Sequence, residues 1–354
     1  MRLVFYSRSN TLSDPHGRLM RIALALICAF LLTAPVALAQ NTAPPADAKG
    51  TAESSPEVAE AAELTAKVVK LSNEGKYQEA LPLAQRALEL REKALGREHP
   101  LVASALMNVA TLDSYLRNFE EAKSLAHRAL AIYEKLGGEY VQQQVRALDL
   151  LARLEPFAPK AIELHERNLA LKEKTYGPDS PQVSTTLFPL AHLNELLGND
   201  EKAEKLFARF IEIREKTKAG ADDDVEVAEL RMGCLLRKDN KLQEAQAYEA
   251  KAKERSKQKL APIQGGVISG KALSKPAPEY PAEARSAHVE GTVVVDVLVG
   301  ETGNVLYACA TGDANPALKR ASEFAAYNAR FTPTTLGGKP VKVRGTITYN
   351  FVLR

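Results

Sequence analysis

The sequence predicts an all-α helical solenoid followed by a small α+β domain made of a three-stranded antiparallel sheet plus helices, and three observations predict it. Ala80, Ala122, Ala161, Ala203 and Ala245 recur in similar settings at spacings of 42, 39, 42 and 42 residues. Thirteen residues after each of the first four stands a lysine, Lys93, Lys135, Lys174 and Lys216. A fixed period of this length carried by apolar residues is the mark of stacked helical units. After Lys275 the pattern changes to a two-residue alternation bounded by glycines, which belongs to strands.

The chain of 354 residues, 45% hydrophobic and 26% charged, is long enough for two or three domains and has the balance of a globular protein. Arg2, Arg8, Arg18 and Arg21 against Asp14 account for the whole formal charge of +3, so the body from residue 40 onward is neutral. A neutral body argues against nucleic-acid binding, which needs a basic excess to displace counterions from phosphates. Three cysteines, Cys28, Cys234 and Cys309, are too few and too scattered for a disulfide scaffold or a CxxC metal site.

Residues 1–39 read as a signal peptide. Arg18 and Arg21 precede an uncharged stretch from Ile22 to Ala39, and Ala37-Leu38-Ala39 supplies an A-x-A cleavage site before Gln40. Met20 is a candidate start. An uncleaved anchor is the alternative, but the stretch falls short of the roughly 20 residues a span prefers and contains Pro35. Ile27 before Cys28 argues against a lipoprotein. Residues 40–57, rich in Ala, Pro, Ser and Thr, read as a disordered linker, and 256–275 as a second linker.

Residues 58–255 carry the repeats. In one unit Ala80, Leu83, Ala84, Ala87, Leu88 and Leu90 fall at helical spacing, with alanine where helices approach closely. Gly96 and Pro100 interrupt, a second helix runs from Leu101 to Leu116, and its counterpart runs from Gln182 to Leu197 before Gly198. These units resemble tetratricopeptide repeats of the kinesin light chain type, in which Gly-x-x-His-Pro, here Gly96 to Pro100, joins helices. The third unit has lost three residues and gained Pro156 and Pro159, so its turn is expected to be remodelled. The resemblance implies a concave surface for a peptide or protein; a spacer or dimer surface is equally compatible with one sequence.

In residues 276–354 Val293, Val295, Val297 and Val299 alternate with Val294, Asp296 and Leu298, a strand more apolar than a half-exposed one requires. Glu301 to Asn304 turns the chain into a returning strand, Val305 to Ala310. A helix follows from Pro316 with Asn315 as its cap. Gly337-Gly338 then leads to a last strand, Val341 to Leu353. The ordered set Tyr280-Pro281-x-x-Ala284, Gly291, Gly303, Pro316-x-Leu318, Arg330-Phe331-x-Pro333 and Phe351-x-Leu353 resembles the TonB C-terminal domain. Ala329 stands where that family often has an aromatic.

This second resemblance implies a periplasmic, non-enzymatic protein that binds an extended segment of an outer-membrane transporter or other envelope partner by strand addition, in a process linked to transmembrane transport. The candidate receiving edge is Val341, Val343, Thr346, Ile347, Thr348, Tyr349, Asn350 and Phe351. The energy-transducer members of that family keep a membrane helix with Ser and His. Ile22 to Ala39 has neither, which argues against direct energy coupling. The alternative is a periplasmic scaffold for envelope complex assembly whose C-terminal domain forms a homodimer through that edge.

Other signals point to no cofactor, metal or catalytic group. Gly265 to Lys271 imitates a phosphate-binding loop, but Ala272 replaces the hydroxyl residue needed for Mg²⁺. His99, His127, His165, His192 and His288 fall in different units without ligand spacing. Cys234 and Cys309 could pair in an oxidising compartment. With Met232 and Leu235 beside Cys234, a buried free thiol is the preferred reading. Intact-mass measurement of the protein from its native envelope is expected to give a chain beginning at Gln40; a mass retaining residues 20–39 would restore the anchor.

Overall fold

The computed structural model describes residues 55–217, 222–257, 263–267 and 272–353. The expected signal peptide at 1–39 and the linker up to residue 54 lie outside the described residues. Ten α-helices form five consecutive antiparallel-type pairs among the described residues: α1 (Pro56–Asn73) with α2 (Tyr77–Leu95), α3 (Pro100–Tyr115) with α4 (Phe119–Leu136), α5 (Val141–Leu154) with α6 (Ala158–Tyr176), α7 (Pro181–Leu196) with α8 (Asp200–Thr217), and α9 (Asp222–Lys238) with α10 (Leu242–Lys257). The five periodic alanines all lie on the second helix of a pair and are all 0% exposed. A methyl group at these positions lets two helix backbones approach, and a larger side chain would hold them apart.

The turn inside each pair also repeats. Gly75, Arg117, Gly198 and Asn240 have positive φ, and the next residue's N–H donates to the carbonyl five residues before it: Lys76 to Leu71, Asn118 to Asp113, Asn199 to Asn194 and Lys241 to Leu236, at 2.8–2.9 Å. This wraps the left-handed residue around the helix end and satisfies its free carbonyls. The third pair departs as expected. Pro156 forces Glu155 into an extended conformation (φ −78°, ψ 113°), and the Glu155 carboxylate accepts from the Phe157 N–H at 3.2 Å instead.

In the C-terminal domain, β3 (Gly291–Val299), β4 (Val305–Thr311) and β8 (Val343–Phe351) form an antiparallel sheet in the order β8-β3-β4. A short helix α11 (Ala282–Ser286) precedes it, and α12 (Pro316–Tyr327) packs on one face. Asn315 caps α12 by accepting from the Ala317 N–H at 2.9 Å. The expected last strand is split: Val341 ends a hairpin of β6 (Thr334–Leu336) and β7 (Lys339–Val341), turned at Gly337-Gly338, and β8 starts at Val343. Two strands lie in the segment expected as a linker. β1 (Ile263–Val267) runs parallel beside β8, and β2 (Ala272–Ser274) pairs with β5 (Arg330–Phe331).

The domain has two apolar layers. Val293, Val295, Val297, Leu318, Ala325 and Ile347 form the core under α12. On the opposite face Leu298, Tyr307 and Cys309 meet Val227, Leu230 and Cys234 of α9 and Ala252 of α10. That second layer explains why β3 is apolar on both sides. Ala329, despite its small side chain, is buried in the first core.

Gly303 shows how tightly the hairpin turn meets its neighbour. Its φ is +82°, and a Cβ there would come within 1.9 Å of the Phe331 carbonyl oxygen, to which no side chain could yield. The same turn receives the Phe331 N–H on the Gly303 carbonyl at 2.9 Å. Gly303→Ala is expected to cost more than about 2 kcal/mol of stability, measured by denaturant unfolding, from the combined backbone strain and overlap.

Candidate functional site

The site is built around the two edges of the sheet, because an edge strand exposes unpaired backbone groups that another strand can satisfy. The β4 edge is closed by α9 of the helical repeats together with α12 of its own domain. The buried Arg231 of α9 donates from Nη2 to the Leu306 carbonyl at 2.8 Å, and the Ala310 N–H donates to the Glu323 carboxylate of α12 at 2.9 Å. Lys238 of α9 pairs with Glu323 at 3.0 Å. Burial pushes the Glu323 carboxyl up, against the pull of Lys238 and the Ala310 N–H.

Cys234 on α9 and Cys309 on β4, 75 positions apart in sequence, are joined by a disulfide with Cα atoms 5.9 Å apart. This corrects the free-thiol expectation. The apolar neighbours of Cys234 are real, but they pack against β4, a contact that adjacent sequence does not reveal. Cys234, Cys309 and Glu323 are grouped within 4.8 Å, yet the bonded sulfurs carry no thiolate to ligate a metal.

Arg231 is the polar centre of this seam. Its Nη1 donates to Glu195 Oε2 and to His192 Nδ1, both at 2.5 Å, and its guanidinium carbon lies 4.8 Å from the Tyr327 ring centre. Arginine has only donors, so His192 must present an unprotonated Nδ1. Burial, reinforced by Arg231, lowers the His192 value to about 4. Burial alone would raise the Glu195 carboxyl, but the Arg231 guanidinium outweighs it, and the carboxyl sits at about 2. Further along, Lys342 pairs with Asp223 at 2.9 Å and Glu226 at 3.1 Å, and Arg344 reaches Glu226 at 3.6 Å.

The β8 edge is different. One side of β8 pairs with β3 along its length, from Val299 opposite Val343 to Gly291 opposite Phe351. On the other side β1 covers only the first half, with Ile263, Gln264 and Val267 opposite Val343, Arg344 and Thr346. Beyond Thr346 no strand among the described residues pairs with this side; the Lys275 ammonium donates to the Thr348 carbonyl at 3.4 Å. Val343, Ile347, Tyr349 and Phe351 point into the core, whereas Thr346 and Thr348 are half-buried and Asn350 is exposed. Val341 lies apart, in β7.

The other predicted family positions shape the domain. The Tyr280 hydroxyl donates to the Val289 carbonyl at 2.6 Å, and its ring meets Phe351 edge-on at 5.3 Å. Pro281 precedes α11, Ala284 is buried in the core and Gly291 starts β3. Arg330 donates to the Ala329 carbonyl at 2.9 Å, Phe331 is buried, and Pro333 lies beside the Gly303 turn. Gly265 and Gly266, part of the run that imitates a phosphate-binding loop, lie within extended β1. Sequence reasoning missed Arg231, Glu195 and His192; their only signal was a set of polar residues on otherwise apolar helices.

Comparison with known proteins agrees with this architecture. Residues 71–135 and 157–216 match the tetratricopeptide repeat family, and residues 276–353 match the family described as Gram-negative bacterial TonB protein C-terminal. The chain thus carries tetratricopeptide repeats followed by a TonB C-terminal domain, both of them domain types that typically bind proteins rather than catalyse. A clustered mitochondria protein homolog of Eremothecium gossypii is 35% identical over 85 residues, which are 24% of this chain and 7% of that protein. The chain therefore spans only a small fraction of that curated relative. Among solved structures, apo RapI has a TM-score of 0.50 at 16% identity, covering 56% of this chain and 71% of its own. A kinesin light chain of nearly identical TPR-like repeats from Podosopora anserina has a TM-score of 0.48 at 20% identity, covering 56% and 94%.

The seam predicts a pH dependence. His192 is held at about 4 in the folded protein against 6.5 in a free side chain, so its contribution to stability is complete above pH 6.5 and is lost as pH falls toward 4. Burial likewise lowers His165 to about 3, which adds to the same acid loss. Each unit of pH in this window costs about 1.4 kcal/mol per histidine. Denaturant unfolding at pH 7.5 and pH 5 is expected to show this loss, and His192→Gln is expected to reduce it by about 1–2 kcal/mol.

Proposed function

We propose that this chain is a non-enzymatic periplasmic protein that binds an extended segment of an envelope partner, foremost an outer-membrane transporter, by adding that segment as a strand along β8. The observation that carries the reading is the asymmetry of the sheet. The β4 edge is capped by Arg231 and Glu323 and tied to α9 by the disulfide, whereas the outer side of Ile347–Phe351 has no strand partner among the described residues. Strand addition draws its affinity from main-chain hydrogen bonds, and neighbouring side chains such as Thr348 and Asn350 supply selectivity. The TonB C-terminal match points to the cell envelope, and a disulfide fits an oxidising compartment. Among the described residues no helix is long and apolar enough to cross a membrane.

The test is a nuclear magnetic resonance titration of the chain from Gln40 with synthetic peptides from the N-terminal segments of outer-membrane transporters. Amide shifts concentrated on Ile347–Phe351, leaving α1–α6 unchanged, are the expected result. Absence of binding across the panel would overturn the reading. Chemical-shift changes at the same amides that depend only on protein concentration would instead support the homodimer.

A further inference from the structure

The receiving edge already has an occupant from this chain. We propose that Ile263–Val267 is a resident strand that covers the first half of the β8 edge and is displaced when a partner strand adds there. The inference rests on the reading of β8 as the receiving edge and names how access to that edge is controlled.

The pairing is short and irregular. β1 matches β8 at Ile263, Gln264 and Val267, and the register shifts between Gln264 and Val267. The shift spans Gly265 and Gly266, and glycine holds an extended conformation weakly because it loses the most freedom on ordering. A cover of this kind shields backbone groups from chance pairing with other chains while staying removable.

The repeats bring the cover into place. Glu226 of α9 accepts a hydrogen bond from Ser256 near the end of α10, and it also binds Lys342 at 3.1 Å and Arg344 at 3.6 Å at the head of β8. One carboxylate thus holds the exit of the last helix beside the start of the edge strand. On the far side of β1, β2 is paired with β5, Ala272 opposite Phe331. The segment is therefore tethered at both ends, which gives it an effective concentration on the order of millimolar at its own edge.

A tethered competitor lowers the apparent affinity of any guest by the fraction of edges left uncovered. The exposed side of Ile347–Phe351 gives a guest a place to begin, after which it can replace β1 pair by pair. The cover thus sets a threshold that a long matching segment passes more readily than a short chance one.

The test uses the disulfide-intact chain from Gln40 and a fluorescein-labelled peptide of residues 261–268 as the probe, so that no partner is required. In one variant Gln264→Pro and Val267→Pro together remove strand donors from β1; in a second, Glu226→Gln weakens the clasp and leaves β1 unchanged. The peptide is expected to bind the double-proline protein at least tenfold more tightly than the parent, and the Glu226→Gln protein at an intermediate affinity. In hydrogen exchange, the amides of Val343–Thr346 that face away from β3 should be slow in the parent and at least tenfold faster in the double-proline protein. Equal peptide binding to all three proteins, including none, or unchanged exchange at those amides overturns the proposal. Transporter peptides that bind parent and double-proline proteins equally would remove the cover and keep the partner. Success with the chain's own peptide and failure of every transporter peptide would keep the cover and remove the partner.

Discussion

The contact between β4 and α9 governs the rest of the molecule, and at its centre is a buried arginine. Arg231 lies with its side chain only 3% exposed, where an unanswered guanidinium would be very costly. Its charge meets Glu195, its donors meet His192 and the Leu306 carbonyl, and its face meets the Tyr327 ring. These partners come from α7, β4 and α12. The charge is satisfied only when the last two repeats and the C-terminal domain are in one arrangement. The disulfide and the apolar layer of Leu230, Leu298 and Tyr307 hold the same arrangement.

That arrangement solves half of a problem inherent in any small sheet. Three strands leave two edges, each able to pair with a stranger. The β4 edge is removed without another strand: α9 supplies an arginine to one carbonyl, and the domain's own α12 supplies a carboxylate, held by Lys238 of α9, to one N–H. The remaining edge, β8, is the one that the family resemblance assigns to a partner. The helical repeats therefore do more than extend the molecule: their last pair decides which side of the sheet is open.

Much of this was legible in the sequence. The alanine period located one helix of every unit, although the sequence pattern sets it before the helix Leu101 to Leu116 and the structure pairs it with the helix that precedes it; Pro156 located the turn that differs. The sequence showed β3 to be more apolar than a half-exposed strand requires, but nothing in β3 said that α9 covers its second face. Ion pairs between successive repeats follow the period too: Lys241 with Glu204 and Arg209 with Glu173 are separated by 37 and 36 residues. Such partly exposed pairs contribute about 0–1 kcal/mol each and mark the stacking more than they cause it. The contacts that fix the C-terminal domain on the repeats, Cys234 with Cys309 and Arg231 with Leu306, join residues 75 apart across a domain boundary, at separations that no period encodes.

The consequence reaches the repeats themselves. A tetratricopeptide array is usually considered as a surface waiting for a ligand, but here α7 and α9 present Phe188, His192, Val227 and Leu230 to the C-terminal domain of the same chain. Those two helices are occupied at these positions by the C-terminal domain, which sets them apart from the first helices of the earlier pairs, α1, α3 and α5. Of these, α3 is buried along nearly its whole length from Val102 to Ser114, whereas α5 keeps Asp149 partly exposed, paired with the buried Lys172 at 3.1 Å. The repeats nearest the sheet serve as its wall, so the last two pairs are part of the C-terminal domain's packing as much as of the array.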